Sequence, residues 1–247
     1  METQESSAIK NPFNAPIYHL KRTGSTMTAA REFIADGCPD GTFIYADFQT
    51  DGRGRMSGKQ WLSPAGENLL GTLILRRPAS TDFTLRIGLA VSTALDPLLP
   101  PAIKTAVKWP NDILVNGKKI SGILCESAGG CVLAGIGVNL QQTDFLQSIE
   151  HTATSVALIS GSTKCPSVAG FIPLLLHAIQ DCLDCADWHE KVSSRLWMRG
   201  YPVRFMRGHQ ETDIIQGTLT RIAEDGAICI ADTVKERRYY SGELIFD

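Results

Sequence analysis

No run of about 18 consecutive apolar residues occurs in this chain of 247 residues, so nothing in it reads as a transmembrane helix. The stretch Met1–Lys10 is polar and lacks the apolar core of a secretory signal. A strong charge of either sign is also missing. The formal net charge is −2, which argues against wholesale nucleic-acid binding, a task for basic domains. There is no Gly-Lys-Ser/Thr ending of a Walker loop and no Gly-x-Gly-x-x-Gly dinucleotide fingerprint. Neither a Ser-His-Asp nor a Cys-His arrangement is evident, so covalent nucleophilic catalysis has no visible candidate. Internal repeats and low-complexity segments are absent. The seven cysteines lack a pattern: only Cys182 and Cys185 form a C-x-x-C pair, with no second pair to complete a zinc site. All seven read as free thiols in a reducing compartment, and a cytoplasmic protein is expected.

What is present concentrates in a few places. Gly52-Arg53-Gly54-Arg55-Met56-Ser57-Gly58-Lys59-Gln60-Trp61 holds three glycines and three cations, closed by a tryptophan. Glycine permits close backbone approach, and exposed N–H groups in such a loop make a nest for anions. Arg53 and Arg55 add forked donors that match phosphate or carboxylate. A solvated basic turn or an arginine-glycine nucleic-acid patch is the lesser alternative for the same residues.

Residues 1–15 read as a loose arm. Ile17–Leu20 is a strand candidate, and Thr23–Thr26 a turn able to cap a helix from about Met27 to Asp36. Thr42–Phe48 reads as a buried strand running into the glycine-arginine loop, the place where α/β proteins tend to hold ligands. Asn68–Leu75 is a further strand and Phe83–Leu95 an amphipathic helix. In Val107–Leu124, Asn116-Gly117 between two apolar runs signals a hairpin with a type I′ turn. That puts Lys119 on a strand. Strand alternation sends Lys118 and Lys119 to opposite faces, so at most one points at a site. Pro110 confines Lys108–Trp109 to a strand end or edge, and Trp109 reads as core. Cys131–Leu140 continues the hairpin; Gly135 and Gly137 would let a planar ligand lie against its backbone. Residues 167–187 are helical, with Pro173 suggesting a start near Phe171. Trp188–Arg199 reads as another helix. From Tyr201 the texture changes to short β runs: Tyr201–Met206, Ile214–Ile222, Ala227–Ala231 and Arg237–Phe246.

Together these pieces resemble the biotin protein ligases, or holocarboxylase synthetases. The resemblance is carried by Gly52–Arg55 with Trp61, by Lys108-Trp109-Pro110-Asn111-Asp112, by Lys119–Leu124 and by Gly135–Asn139, four motifs in order. It implies an α/β fold: a mixed β-sheet flanked by helices, related to class II aminoacyl-tRNA synthetases, followed by a small C-terminal SH3-like β-barrel. The expected organisation is an arm at 1–15, a catalytic domain at 16–199 and the barrel at 200–247. The implied reaction activates biotin with ATP as biotinyl-5′-AMP, then transfers it to a lysine of a biotin carboxyl carrier protein. Mg²⁺ is the implied metal. Only about twenty residues precede the catalytic motifs, fewer than a helix-turn-helix domain needs, so no DNA-binding role is expected. A homodimer is compatible with the resemblance.

Roles carry over by position. Ser25, Thr26 and Gln49 resemble residues that bond the biotin ureido group. Arg53, Gly54 and Arg55 belong to a loop that folds over carboxylate and phosphate. Lys119 resembles the cation bridging the biotin carboxylate and α-phosphate. Asp112 resembles a Mg²⁺ and pyrophosphate contact, and Asn111 and Asn139 nucleotide contacts. Trp61 is expected near the adenine, with Gly122, Gly135 and Gly137 lining the biotin pocket. Two departures stand out. The loop has one extra residue before Trp61, with Lys59 where many members have arginine; Met27 stands where asparagine is common. A lipoate–protein ligase or octanoyltransferase of the same fold, or a non-catalytic biotin sensor, are the alternative readings.

Overall fold

In the computed structural model, residues 3–56, 58, 60–207 and 213–245 are described. An eight-stranded sheet is built from β1 (Thr3–Glu5), β2 (Ile17–Thr23), β3 (Phe43–Gln49), β4 (Leu69–Leu75), β5 (Thr105–Lys108), β6 (Asp112–Val115), β7 (Lys118–Ala128) and β8 (Cys131–Val138). Their spatial order is β1-β2-β3-β4-β8-β7-β6-β5. β2 and β3 run parallel, which requires a crossover, and helix α1 (Thr26–Ala35) supplies it. The ligand-prone end of such a unit is the carboxyl end of its strands, here Thr23 and Gln49. Thr3–Glu5, inside the stretch read as a loose arm, is a strand that pairs antiparallel on the edge of β2.

Alternation along the strands sorts the two faces. Val132, Ala134, Ile136 and Val138 of β8 point into the main core with Leu73 and Leu75 of β4. Helices α2 (Phe83–Leu95) and α4 (Val168–Leu183) cover that face. Cys131, Leu133 and Ile74 point the other way, against Ala29 and Ala30 of α1. Further along that second face come Gly135 and Gly137, where the strand has no side chain to offer. A hollow follows from the sequence itself.

Two helix boundaries differ from the sequence expectation. α4 starts at Val168, capped by the Ser167 hydroxyl, and carries Pro173 inside it. A proline in a helix interior costs roughly 3 kcal/mol. Phe171, Ile172, Leu175, Leu176 and Ile179 are fully buried, and each such side chain contributes about 1.5–3 kcal/mol. Packing wins. The last helix, α5 (Trp188–Ser194), stops short of Arg199. Beyond it the chain extends to bond β5: the Val107 N–H donates to the Arg195 carbonyl at 2.8 Å and the Trp197 N–H to the Val107 carbonyl at 2.9 Å. Between the two long helices lies the short α3 (Val156–Ser160).

From Pro202 a five-stranded antiparallel sheet forms from β9 (Pro202–Met206), β10 (Ile214–Ile222), β11 (Ile228–Ala231), β12 (Glu236–Tyr239) and β13 (Glu243–Ile245), in the order β12-β11-β10-β9-β13. The single run expected at Arg237–Phe246 is thus two strands, and Phe246 lies outside the described residues. No pairing closes the sheet into a barrel among the described residues. It docks on the larger sheet through Trp109, which is buried at 3% exposure. The indole Nε1 donates to the Gly226 carbonyl at 3.2 Å, and the ring sits 5.8 Å from that of Phe205. Trp109 is core, as its sequence context suggests. Among the described residues no helix is long and apolar enough to cross a membrane.

Candidate active site

At the carboxyl ends of β2 and β3, Ser25 takes extended backbone geometry and caps α1 by accepting from the Met27 N–H at 3.3 Å. Gln49, the last residue of β3, reaches back across the gap. Its Oε1 accepts from the Thr26 N–H at 2.7 Å and from the Thr26 hydroxyl at 3.0 Å. Behind them the buried Thr72 hydroxyl donates to Thr26 Oγ1 at 2.9 Å. Three polar side chains therefore border one end of the hollow, locked by a helix cap and a strand end. Met27 is buried with its sulfur over Gly135, where a Cβ would come within 2.8 Å of it. An apolar thioether fills that position.

Gly122 and Gly137 pair directly across β7 and β8. This glycine pair is the floor, and the plane that lies on it is the Trp61 indole. A Cβ at Gly137 would stand 2.6 Å from the ring, and one at Gly122 3.0 Å. The indole Nε1 is buried without a hydrogen-bond partner. Trp61 is seated there because the loop closes on itself: its N–H donates to the Gly52 carbonyl at 3.0 Å, and Arg53 bridges Gln60. The cavity left between the polar end and the indole is about 70 Å³. Small-molecule sites usually run to about 300–1,000 Å³, so the floor is covered by the protein's own side chain.

Lys119 reaches the same floor through a β-bulge. The Asn116-Gly117 turn forms as expected, with φ of 51° and 77°. The β6–β7 register then slips: Leu114 faces Lys119, but Ile113 faces Ser121, leaving Ile120 extra. A bulge shifts the alternation by one. Ile120 and Ile123 both enter the core, while Lys119, Gly122, Leu124 and Glu126 border the cavity. In an unbroken strand Lys118 would share the face of Gly122. The extra residue selects Lys119 instead, and Lys118 is left exposed, its amine 3.4 Å from the Glu150 carbonyl. The Lys119 backbone is stitched on its free side, donating to the Thr152 carbonyl at 2.7 Å and accepting from the Thr154 N–H at 2.9 Å. Asn139 holds that segment in turn, its Nδ2 donating to the Thr154 carbonyl at 2.9 Å. The Lys119 amine lies 2.7 Å from Asp112 Oδ1 and 5.6 Å from the Trp61 ring centre.

Beyond the indole is a second cavity of about 280 Å³. Asp112 and Asn139 border it, together with Phe145, Ile149, Thr152, Ala153 and Glu243. Gly54, Arg55, Trp61, Asn111 and Lys119 border both cavities. Asn111 is held by its Nδ2 donating to the Ile123 carbonyl at 3.2 Å. Arg53 borders the first cavity and, among the described residues, its guanidinium pairs with Asp51 at 3.1 Å. Arg55 reaches the Gly242 carbonyl on the smaller sheet at 3.4 Å. Lys59 lies outside the described residues.

A model of the biotin/lipoate A/B protein ligase family matches residues 19–142. The chain belongs to that family. Within it, the bifunctional ligase/repressor BirA of Bacillus subtilis is 39% identical over 240 residues, covering 92% of this chain and 73% of BirA. The biotin–[acetyl-CoA-carboxylase] ligase of Paracoccus denitrificans is 39% identical over 153 residues, a match spanning 58% of this chain and 62% of that ligase. Among solved structures, the biotin protein ligase of Aquifex aeolicus in complex with biotin and ATP superimposes with a TM-score of 0.81 at 29% identity, over 93% of this chain and 97% of that one.

Of the residues singled out in the sequence, Ser25, Thr26, Gln49, Arg53, Gly54, Arg55, Trp61, Asn111, Lys119, Gly122, Gly135 and Gly137 all border one cavity. The sequence reading did not include Phe145, Ile149, Thr152, Ala153 or Glu243. The run Asp144-Phe145-Leu146 carries two apolar residues in an otherwise polar loop, a signal that was available. Glu243 comes from the other sheet, and only the tertiary contact brings it in. Among the described residues no cluster of three or more metal-binding side chains occurs. Asp112 and Glu243 are the two carboxylates beside the larger cavity, and Mg²⁺ usually takes one or two carboxylates plus substrate phosphates. The donor set suits a metal that arrives with a nucleotide.

Proposed function

We propose that this chain is an ATP-dependent biotin protein ligase. In the first step a biotin carboxylate oxygen bonds to the α-phosphorus of ATP and pyrophosphate leaves. In the second, the amine of an acceptor lysine on a carboxyl carrier domain attacks the activated carbonyl carbon, and AMP leaves with the bonding pair. The observation that carries this reading is Lys119, an ammonium in the wall shared by two cavities. One cavity ends in fixed polar groups, as a small ureido ring needs. The other is larger and partly apolar, with Phe145 and Ile149 available to a purine and Asn139 and Thr152 to its polar edges.

Two anions must meet at the partition, and repulsion between them is the barrier the protein has to lower. Catalysis of this kind is mostly positioning and electrostatic stabilisation. Lys119 is suited to both acids at once, and Arg53 and Arg55 to the phosphate and carboxylate as the loop folds over them. Asp112 now neutralises Lys119, so its release toward the nucleotide side frees the ammonium for the substrates. Asp112 would hold Mg²⁺ there together with the nucleotide phosphates, and the ion would supply positive charge to the leaving pyrophosphate. The seven free thiols suit a reducing cytoplasm.

A lipoate or octanoate ligase shares the family name. Its substrate offers no ureido group, which would leave Ser25, Thr26 and Gln49 facing a ring with nothing to bond, and unpaired polar groups are costly. The test is mass spectrometry of a carrier domain incubated with this protein, MgATP and either biotin or lipoate. A biotinyl adduct on one lysine is expected. A lipoyl adduct alone, or none with either acid, overturns the reading.

A further inference from the structure

The hydrogen positions at the polar end follow from one backbone group. The Thr26 N–H can only donate, so the Gln49 atom 2.7 Å away must be its carbonyl oxygen. That oxygen can only accept, so the Thr26 hydroxyl proton points at it across 3.0 Å. Thr26 Oγ1 has then no proton left for Thr72, 2.9 Å away, and the Thr72 hydroxyl must be the donor of that pair. The chain of protons runs one way, from Thr72 to Thr26 to Gln49.

What the cavity sees is fixed as a result. Gln49 has only its Nε2 hydrogens left to offer, because Oε1 is doubly engaged. Ser25 keeps its hydroxyl proton, because its oxygen accepts from Met27. Thr26 offers a lone pair only. Two donors and one acceptor converge, the complement of a cyclic urea with one carbonyl oxygen and an adjacent N–H. Thr72 does not border the cavity; it is fully buried on β4, opposite Gly135 and Ile44.

We propose that Thr72 is a positioning residue for the ligand ring: its hydroxyl proton holds Thr26 as an acceptor, while the Thr26 backbone N–H fixes Gln49 as a donor. This rests on the biotin reading above. Without the Thr72 proton, the Thr26 hydroxyl is free to swing from Gln49 toward the ligand, and the acceptor needed by the ligand N–H is lost.

Thr72→Val keeps the shape and the methyl group but removes the hydroxyl, whereas Thr72→Ser keeps the hydroxyl and removes a methyl. A hydrogen-bonding role and a packing role therefore predict opposite outcomes. Adenylate formation by T72V is expected to show a KM for biotin raised about three- to tenfold, the size of one hydrogen bond. The KM for ATP and kcat should stay within about twofold, and T72S should match wild type. T72V equal to wild type, or T72S as impaired as T72V, overturns the proposal. Should T72V not fold, Thr72→Ala against Thr72→Ser decides, because both lose the methyl group and only Thr72→Ser keeps the hydroxyl. A KM for biotin raised in T72A alone supports the proposal, and equal values in the two variants overturn it. A wild-type protein that forms no biotinyl adenylate at all refutes the ligase reading instead, so the two failures are distinguishable.

Discussion

Lys119 and Arg53 bring the same charge to the same cavity, but they are held in opposite ways. Lys119 stands on a central strand, its backbone bonded on both sides and its amine paired with Asp112. Arg53 stands on a glycine-rich hairpin and is paired with Asp51 two residues away, where both side chains are more than half exposed. Exposed pairs of that kind contribute only about 0–1 kcal/mol, so they do not fix a loop. The strand cation is preorganised and the loop cations are free to arrive later. Preorganised charge is worth most where charge develops in the transition state. Mobile charge is suited to enclosing what has already bound.

The largest expected effect follows from the strand side. Lys119→Ala should slow adenylate formation by about 100-fold or more in single-turnover measurements, the range seen when one preorganised donor is removed. Lys118→Ala should remain within about twofold, since a surface lysine contributes little. A loss under tenfold for K119A would mean less than about 1.4 kcal/mol from a cation assigned the central role. Equal losses in both variants would sink the bulge argument, which says that one lysine alone faces the floor.

The loop side should give a smaller effect of a different kind. Arg53→Ala and Arg55→Ala are expected to shorten the lifetime of bound adenylate about tenfold, measured by its release into a chase of unlabelled biotin, and to slow its formation less. Arg55→Ala also removes the contact with the Gly242 carbonyl. If formation and release suffer equally, the arginines act like Lys119 and the contrast between strand and loop collapses.

Much of this contrast was legible in the sequence. Asn116-Gly117 announced the hairpin, and the glycine-arginine run announced a loop made to approach an anion. The bulge at Ile120 was not legible. Lys118-Lys119-Ile120-Ser121-Gly122 contains no local signal for an extra residue; the slip is enforced by the core taking both Ile120 and Ile123 and by Thr152–Thr154 bonding Lys119 from outside. Sequence alternation could say that at most one lysine faces the site, and only the register says which. The end of α5 at Ser194 was hidden for the same reason: residues 195–197 are recruited by the edge of β5, a long-range contact that helical periodicity does not carry. Four glycines and a tryptophan were read as ligand contacts. That the tryptophan covers two of the glycines itself is a matter of tertiary packing.

Trp61 offers a direct view of the loop moving. Its indole lies on Gly137 and Gly122, where a ligand would rest, and about 70 Å³ of cavity remains. On the proposed reading, biotin reaches that floor by displacing the ring. Its buried Nε1 without a partner makes that seat a poor one, since an unsatisfied donor costs about 1–3 kcal/mol. Adding biotin and ATP should therefore change the tryptophan emission, and Trp61→Phe should abolish the change while Trp109, Trp188 and Trp197 still emit. An undiminished response in W61F would place the moving indole elsewhere.

The smallest effect tests whether β7 stays rigid while the loop moves. Cys125 lies on that strand, paired with Ala134. The side chain is half-buried, and desolvation pushes its thiol up to about 11, with the Thr84 hydroxyl pulling the other way. A thiol raised in the folded state favours folding below its ordinary value of 9.0, and that contribution is lost as pH climbs from there toward about 11. At pH 8 its thiolate fraction is on the order of one in a thousand, so alkylation of Cys125 should be slow. It should stay equally slow when biotin and ATP are bound, while proteolysis of the Gly52–Trp61 hairpin becomes slower. Ligand-dependent alkylation of Cys125 would mean that the strand carrying Lys119 opens along with the loop, and that the lysine is not preorganised after all.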